Sequence, residues 1–244
     1  MKNVVIINGS IRKMGTFSLL KRIESLLGDC EVTFLNIKDF DIKPCIGCEN
    51  CIREGTCNIK DEVNVILSRI NQSDGLIIGS PIYLRHISGY LKVLIDRGCA
   101  WYHRSPLVGK PVFFVTTTQV TGSKAAIRYL SDLSVQWGTI NTGHISRNMF
   151  NLDNEVEGRA LDKFKHYLEE ENRKDYRPSF KQIIEFNTQK VLGVNIIPLD
   201  MEYWEEKGYV DKPYFYDCRM NIFKRLAGAA YYKLLTHFIV KNKS

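Results

Sequence analysis

"NGSIRKMGTFS", residues 8–18, decides how this chain is read. It follows the apolar run 4–7, "VVII", and leads into Leu19 and Leu20 at the start of a helical pattern. A strand that feeds a polar, glycine-containing turn and then a helix is suited to anions, because the first turn of a helix leaves backbone N–H groups without intrahelical acceptors. A Walker A loop requires G-x-x-x-x-G-K-[ST]; here Gly9 and Gly15 stand one residue too far apart, and Thr16 occupies the place of the lysine. The dinucleotide fingerprint G-x-G-x-x-G fails as well, since residues 10–14 contain no glycine. What remains is a hydroxyl-rich loop with one early arginine (Ser10, Arg12, Thr16, Ser18), which suits a terminal phosphate monoester. The plainer alternative is that Ser10 caps the first helix.

Composition narrows the classes. At 244 residues, 44% of them apolar and 11% aromatic, the chain fits one domain with an extension or two small domains. A strand begins within about three residues of Met1 and no apolar run approaches the roughly 20 residues of a membrane span, so a cytoplasmic location is expected. Seven cysteines without a secretory leader, four of them between Cys45 and Cys57, favour metal or redox chemistry over a disulfide framework. Cys30, Cys99 and Cys218 are isolated and read as packing residues. The net charge of +7 is concentrated late: residues 219–244 carry six basic side chains and no acidic one. No zinc finger, recognition helix or RNA-binding signature accompanies them, so nucleic acid is not expected as a partner.

Apolar, β-branched runs recur at 4–7, 32–35, 75–78 and 112–116, with a weaker fifth at 139–145. Amphipathic stretches lie between and after them at 17–27, 62–70, 87–96, 124–137 and 155–170. This alternation predicts a parallel α/β sheet with helices on both faces, in the strand order 2-1-3-4-5, with a ligand beyond the carboxyl ends of the strands. Two further loops leave such ends. "GSPIYLRHISGYLKVLIDRG", residues 79–98, has Pro81 to stiffen the exit and Tyr83 to offer a flat face to a planar ring. "TTTQVTGSK", residues 116–124, offers hydroxyls, Gln119 and a flexible Gly122 to a polar ring edge. Each also has an ordinary reading: a Ser-Pro strand stop for the first, and a strand-to-helix loop capped by Ser123 for the second.

The first loop resembles the G-S-x-R-x-x-G phosphate loop of the NADPH-dependent FMN reductase group of flavodoxin-like flavoproteins. "SPIY" with the downstream "LKVLIDR" resembles that group's second signature. The likeness spans about residues 2–150. It implies Ser10, Arg12, Gly15, Thr16, Phe17 and Ser18 around the FMN phosphate. It further implies Pro81, Ile82, Tyr83 and Leu84 against the isoalloxazine ring, with Thr117, Thr118, Gln119 and Gly122 as the second wall. Where the group commonly has Asn and then Ser or Thr after Gly15, this chain has Thr16 and Phe17, so the hydroxyl contact falls to Thr16 or Ser18.

"CIGCENCIREGTC" spaces Cys45, Cys48, Cys51 and Cys57 as C-x2-C-x2-C-x5-C. Three thiolates at three-residue intervals suit three irons of a cubane, with a later cysteine closing the fourth corner. Zinc more often uses two separated C-x-x-C pairs. The motif and its place after the second strand are similar to the iron-sulfur flavoproteins, a branch of the same group, and this implies a [4Fe-4S] cluster beside FMN. The alternative is four reduced thiols that help build a subunit contact.

The expected organisation is therefore a flavodoxin-like FMN-binding domain over residues 1–172, with a cysteine-rich insert at 44–58, and a helical, basic extension over 173–244. In the extension, "RPSFKQIIEFNTQKVLG" reads as a helix with Gly193 as its stop, and residues 201–217 as an aromatic-rich connection. Residues 223–244 read as a second, basic helix that docks on the domain or on a second subunit; membrane attachment is not expected. Trp204 and Tyr203 are expected over the flavin of a partner subunit. No acid pair or triad is required, since the flavin carries the chemistry, and the five histidines show no metal or triad spacing; His86 alone falls in a flavin loop. The expected activity is an FMN-dependent oxidoreductase using NAD(P)H and a small-molecule acceptor, built as a homodimer or homotetramer. The alternative is an FMN and iron-sulfur carrier fed by ferredoxin.

Overall fold

The computed structural model describes residues 1–241 of the chain. Its sheet is built on β1 (Asn3–Asn8), flanked by β2 (Glu31–Asn36) and β3 (Gly75–Tyr83). A two-residue β4 (His86–Ile87) folds back antiparallel on the end of β3, and β5 (Pro111–Thr117) and β6 (Ile140–Arg147) complete the sheet. The five long strands are parallel in the order β2-β1-β3-β5-β6, which is the expected 2-1-3-4-5 once the small hairpin strand is set aside. The helices are α1 (Gly15–Ser25), α2 (Asn50–Arg53), α3 (Val63–Gln72), α4 (Gly89–Arg97), α5 (Ser123–Gln136), α6 (Asp162–Leu168), α7 (Phe180–Asn195), α8 (Pro198–Glu206) and α9 (Ile222–Lys241).

The "VVII" run sits in a strand buried on both faces, and alternate residues feed two cores. Val4 and Ile6 pack with Leu19, Leu20 and Ile23 of α1 and Phe164 and Leu168 of α6. Val5 and Ile7 pack on the opposite face with Ile66 of α3, Leu91 and Leu94 of α4 and Leu130 of α5. This two-sided burial explains why β1 reads as an unbroken apolar run.

The local structure departs from the sequence reading at several places. β3 does not stop at Ile78; it continues through Pro81 to Tyr83 and turns at Leu84 (φ 48°) and Arg85 (φ 67°), the left-handed pair that a two-residue hairpin requires. Helix α4 consequently starts at Gly89, capped by the Ser88 hydroxyl, which accepts from Leu91 N–H at 3.2 Å. The stretch 155–170 is not one helix: a 3-10 turn (Gly158–Leu161) precedes α6. Upstream, the Asn148 and Asn151 side chains accept from nearby backbone N–H groups, and Arg22 takes the Leu152 and Asn154 carbonyls, which hold residues 148–154 in a loop.

The extension departs as well. Gly193 does not end α7 but lies inside it, where a Cβ would stand 2.9 Å from the Trp204 ring nitrogen; the glycine lets α8 approach. The helix α8 replaces part of the expected connection, with Pro198 at its first turn. Trp204 packs there against Phe186, Tyr214 and Phe215, so it is a core residue of the extension and cannot cover a partner's flavin. Tyr203 is committed within the chain too, donating to the Ser105 carbonyl at 2.8 Å. Helix α9 packs on α7; residues 242–244 of the expected second helix lie outside the described residues.

Candidate functional site

The three loops at the carboxyl ends of β1, β3 and β5 meet in one cleft. Ser10, Arg12, Gly15 and Thr16 line it from the first, Pro81, Ile82 and Tyr83 from the second, and Thr117, Thr118 and Gln119 from the third. The buried Thr16 and the half-buried Thr117 join first and third loops through a 2.6 Å hydroxyl contact. Ser88 ties the first loop to the second: its hydroxyl donates to the Gly9 carbonyl at 2.6 Å, and its N–H donates to the Ser80 hydroxyl. Gly9 is required at this crossing, since a Cβ would stand 2.8 Å from the Gly79 carbonyl oxygen.

Ser10 does not cap α1. Its hydroxyl closes a turn on Arg12, donating to the Arg12 carbonyl at 3.0 Å and accepting from the Arg12 N–H at 3.2 Å, while α1 begins after Met14 with no side-chain cap. An uncapped helix N-terminus faces the cleft beside Ser10 and Arg12, and this donor set fits a phosphate monoester. The Arg12 side chain is exposed and makes no hydrogen bond or ion pair among the described residues.

Four of the expected residues lie outside this lining. Phe17 turns to β2 and meets Phe34 edge-on at 5.4 Å, and Ser18 is exposed on α1. Leu84 projects into solvent at the hairpin turn. Gly122 caps α5 at φ 105° and lines a neighbouring groove with Arg85, Lys124 and Arg128; Ser123 is the first helical residue and not the cap. His86 likewise leaves the cleft and packs against Tyr129, the ring centroids 4.6 Å apart and the planes tilted by 51°. A fourth wall was not read from the sequence: Met14, Asn148, Met149 and Leu152 also line the cleft. Three of these follow β6, so the carboxyl-end rule applied to the fifth strand would have found them.

The cysteine insert forms a separate cavity lined by Cys45, Cys48, Cys51 and Cys57. Cys99, read above as an isolated packing residue, lines the same cavity, with its sulfur 3.4 Å from that of Cys51. Burial, and then Cys51, pushes the Cys99 thiol up to about 12. No three His, Cys, Asp or Glu side chains among the described residues stand close enough to hold a single metal ion. A cubane spreads its four thiolates around a larger core, and four cysteines on one cavity, among Ile46, Ile52, Ile59, Glu49, Asp96 and Arg97, supply the donor set that such a cluster takes, so these residues fit it.

Two buried ion pairs hold this loop. Arg97 pairs with Asp61, both side chains almost fully buried, and also donates to the Lys43 carbonyl at 2.8 Å and to the Cys57 sulfur at 3.5 Å. One guanidinium thus fixes both ends of the insert. Burial alone would raise the Asp61 carboxyl, but hydrogen bonds from Arg97 and from the Lys43 and Val63 N–H groups outweigh it and hold the carboxyl below its usual range. The middle of the insert is held by Arg104, which donates to the Cys51 and Ile52 carbonyls at 2.7 and 3.1 Å and pairs with the fully buried Asp200 of α8. Asp200 also meets His103 Nδ1 at 2.8 Å; burial, and then the Arg104 charge, lowers the His103 pKa, so the neutral ring donates.

Among the described residues no helix is long and apolar enough to cross a membrane. Comparison with known proteins agrees with this geometry. An iron-sulfur flavoprotein of Clostridioides difficile (strain 630) is 30% identical over 229 residues, covering 85% of this chain and 99% of that protein. One from Archaeoglobus fulgidus is 26% identical over 226 residues, covering 86% of this chain and all of that one. Among solved structures, RosB with a bound 8-demethyl-8-formylriboflavin-5'-phosphate intermediate shares the fold at a TM-score of 0.51 and 15% identity, over 94% of this chain and 86% of RosB. The family sequence model described as NADPH-dependent FMN reductase matches residues 2–157, the span that carries the whole sheet and all the loops of the cleft, and the chain belongs to that family of flavoprotein oxidoreductases.

Proposed function

We propose that this chain is an FMN-dependent reductase that draws electrons from NAD(P)H and also carries a [4Fe-4S] cluster on Cys45, Cys48, Cys51 and Cys57. The observation that carries the reading is the Thr16–Thr117 contact, which joins the first and third loops beside an uncapped helix N-terminus and leaves the second loop's Pro81, Ile82 and Tyr83 facing them. When bound, FMN supplies a hydride-accepting ring with both one- and two-electron steps, and the cluster supplies a one-electron store.

The protein's share is placement. Ser10, Arg12 and the first N–H groups of α1 hold the phosphate, while Phe17 and Ser18, whose N–H donates to the Met14 carbonyl at 2.8 Å, belong to the helix behind it. Pro81, Ile82 and Tyr83 form one wall for the ring, with Leu84 at its rim. Thr117, Thr118 and Gln119 present polar groups to the ring edge, and Gly122 shapes the exit of that loop. In the insert, the Arg97 N–H directed at the Cys57 sulfur supports negative charge there. A homodimer or homotetramer belongs to this reading, supported by Phe223, Leu226 and Leu234, which α9 leaves exposed.

A ferredoxin-fed electron carrier is the second reading, favoured by the exposure of Cys45 and Cys48, which puts one end of the cysteine cavity within reach of a protein partner. One experiment separates the two: the visible spectrum of protein purified without oxygen, before and after NADPH or NADH. Flavin bands over a broad iron-sulfur absorption, bleached promptly by a nicotinamide donor, support the reductase. Bleaching only by reduced ferredoxin supports the carrier. Flavin bands alone overturn the cluster on the four cysteines, and a colourless protein that cannot take up FMN overturns the whole proposal.

A further inference from the structure

The cysteine cavity holds five thiols, one more than a four-ligand cluster uses. The surplus residue is Cys99, at the start of the 3-10 turn Cys99–Tyr102 that follows α4. Its sulfur lies 3.4 Å from that of Cys51, and both residues are half-buried. The backbones beneath them are fixed independently. The Cys51 carbonyl is held by Arg104, and the Cys99 turn begins at Gly98, whose N–H closes on the Leu94 and Ile95 carbonyls of α4. Closing 3.4 Å to the roughly 2.05 Å of a disulfide bond therefore asks for side-chain rotation rather than loop movement. Cys45 and Cys48, which line the same cavity, are exposed at its open end.

We propose that Cys51 and Cys99 are a disulfide-forming pair, closed by a small-molecule disulfide when Cys51 is not held by a cluster. The Cys51 sulfur attacks one sulfur of an external disulfide R–S–S–R, forming Cys51–S–S–R and releasing R–SH. Cys99 then attacks the Cys51 sulfur as its proton passes to the departing R–S sulfur, the Cys51–Cys99 bond forms and the second R–SH leaves. Two protein thiols are oxidised, one external disulfide is reduced, and both protons depart on the released thiols. A reduced small thiol reverses the exchange. The exclusion of this bond by a cluster rests on the function proposed above; the pair itself does not.

The test uses the full-length protein in two preparations, one as stripped of iron and one reconstituted anaerobically with iron and sulfide, each treated with oxidised glutathione, alkylated and mapped by mass spectrometry. In the stripped protein the expected product is a peptide pair linked through Cys51 and Cys99. The variant Cys99→Ser should instead stop at a glutathione adduct on Cys51, and Cys30→Ser should behave as the unaltered chain. In protein whose spectrum shows a cluster, the yield of the linked pair should fall about tenfold or more. A stable glutathione adduct on Cys51 in the unaltered chain, or linkage of Cys51 to Cys45 or Cys48 in place of Cys99, overturns the pair. Equal linkage with the cluster present overturns the exclusion. Failure to take up a cluster, with the Cys51–Cys99 link still forming, counts against the cluster and for the pair.

Discussion

Asp200, fully buried in the C-terminal extension, pairs with Arg104, and the same guanidinium donates to the carbonyls of Cys51 and Ile52. The extension is thus bonded through one side chain to the cysteine insert, so it serves as a brace for that loop as well as an appended helical layer. Trp204 reinforces the joint by donating to the His103 carbonyl at 3.1 Å.

Removing the buried carboxylate strands a buried cation, so Asp200→Ala should cost about 3–5 kcal/mol of stability. The loss should be local. Hydrogen exchange should accelerate in α8 and in residues 50–53 before it accelerates in β1 or β3, and uniform acceleration across the chain would contradict the brace.

The Asp61–Arg97 pair predicts a dependence on pH. Because the folded carboxyl is held below its ordinary value, its contribution is complete above about pH 4, where the unfolded carboxyl is ionised, and is lost as pH falls through the lower folded value. Denaturation midpoints measured through the acid range should show this loss. Asp61→Asn should remove that part of the pH dependence and lower stability at neutral pH by about 3–5 kcal/mol, since Arg97 is left buried without its partner.

Thr16→Val deletes the hydroxyl that joins first and third loops while keeping the volume of the side chain. A net hydrogen bond of about 1 kcal/mol corresponds to roughly a fivefold loss of FMN affinity. Fluorescence titration of the apoprotein reads this directly, and an unchanged affinity would show that the junction does not shape the site.

Gly193→Ala places a methyl against the Trp204 ring, where a Cβ stands 2.9 Å from the ring nitrogen and 3.0 Å from the adjacent carbon. The overpacking should cost about 1–3 kcal/mol. Thermal unfolding followed by tryptophan fluorescence tests it, and a neutral or stabilising result would place the α7–α8 contact elsewhere.

Legibility followed locality. Strand β1, the three principal loops and the spacing of four cysteines are contiguous patterns, and the structure brings most of those loop residues into one cleft. The turn at Leu84 and Arg85 escaped because neither residue type advertises a left-handed conformation. The wall after β6 escaped because that strand read weakly, its register against β5 being interrupted between Val112 and Phe113. Cys99 and Asp200 escaped for a different reason: their partners Cys51 and Arg104 lie 48 and 96 residues away, and no periodicity links positions so distant. Gly193 was misread because a glycine near the end of an apolar stripe looks like a stop when its neighbour in space, Trp204, is unseen.

In the proposed function the loop from Ser10 to Thr16 holds the phosphate of FMN. The most direct measurement compares the binding of FMN and riboflavin, which differ only in that phosphate, to the apoprotein and to Arg12→Ala. FMN should bind the unaltered chain about 100-fold or more tightly than riboflavin, a preference of about 2.7 kcal/mol, and Arg12→Ala should erode that preference while leaving riboflavin affinity unchanged. Equal affinity for the two flavins, or an equal loss for both in Arg12→Ala, would contradict the assignment of this loop.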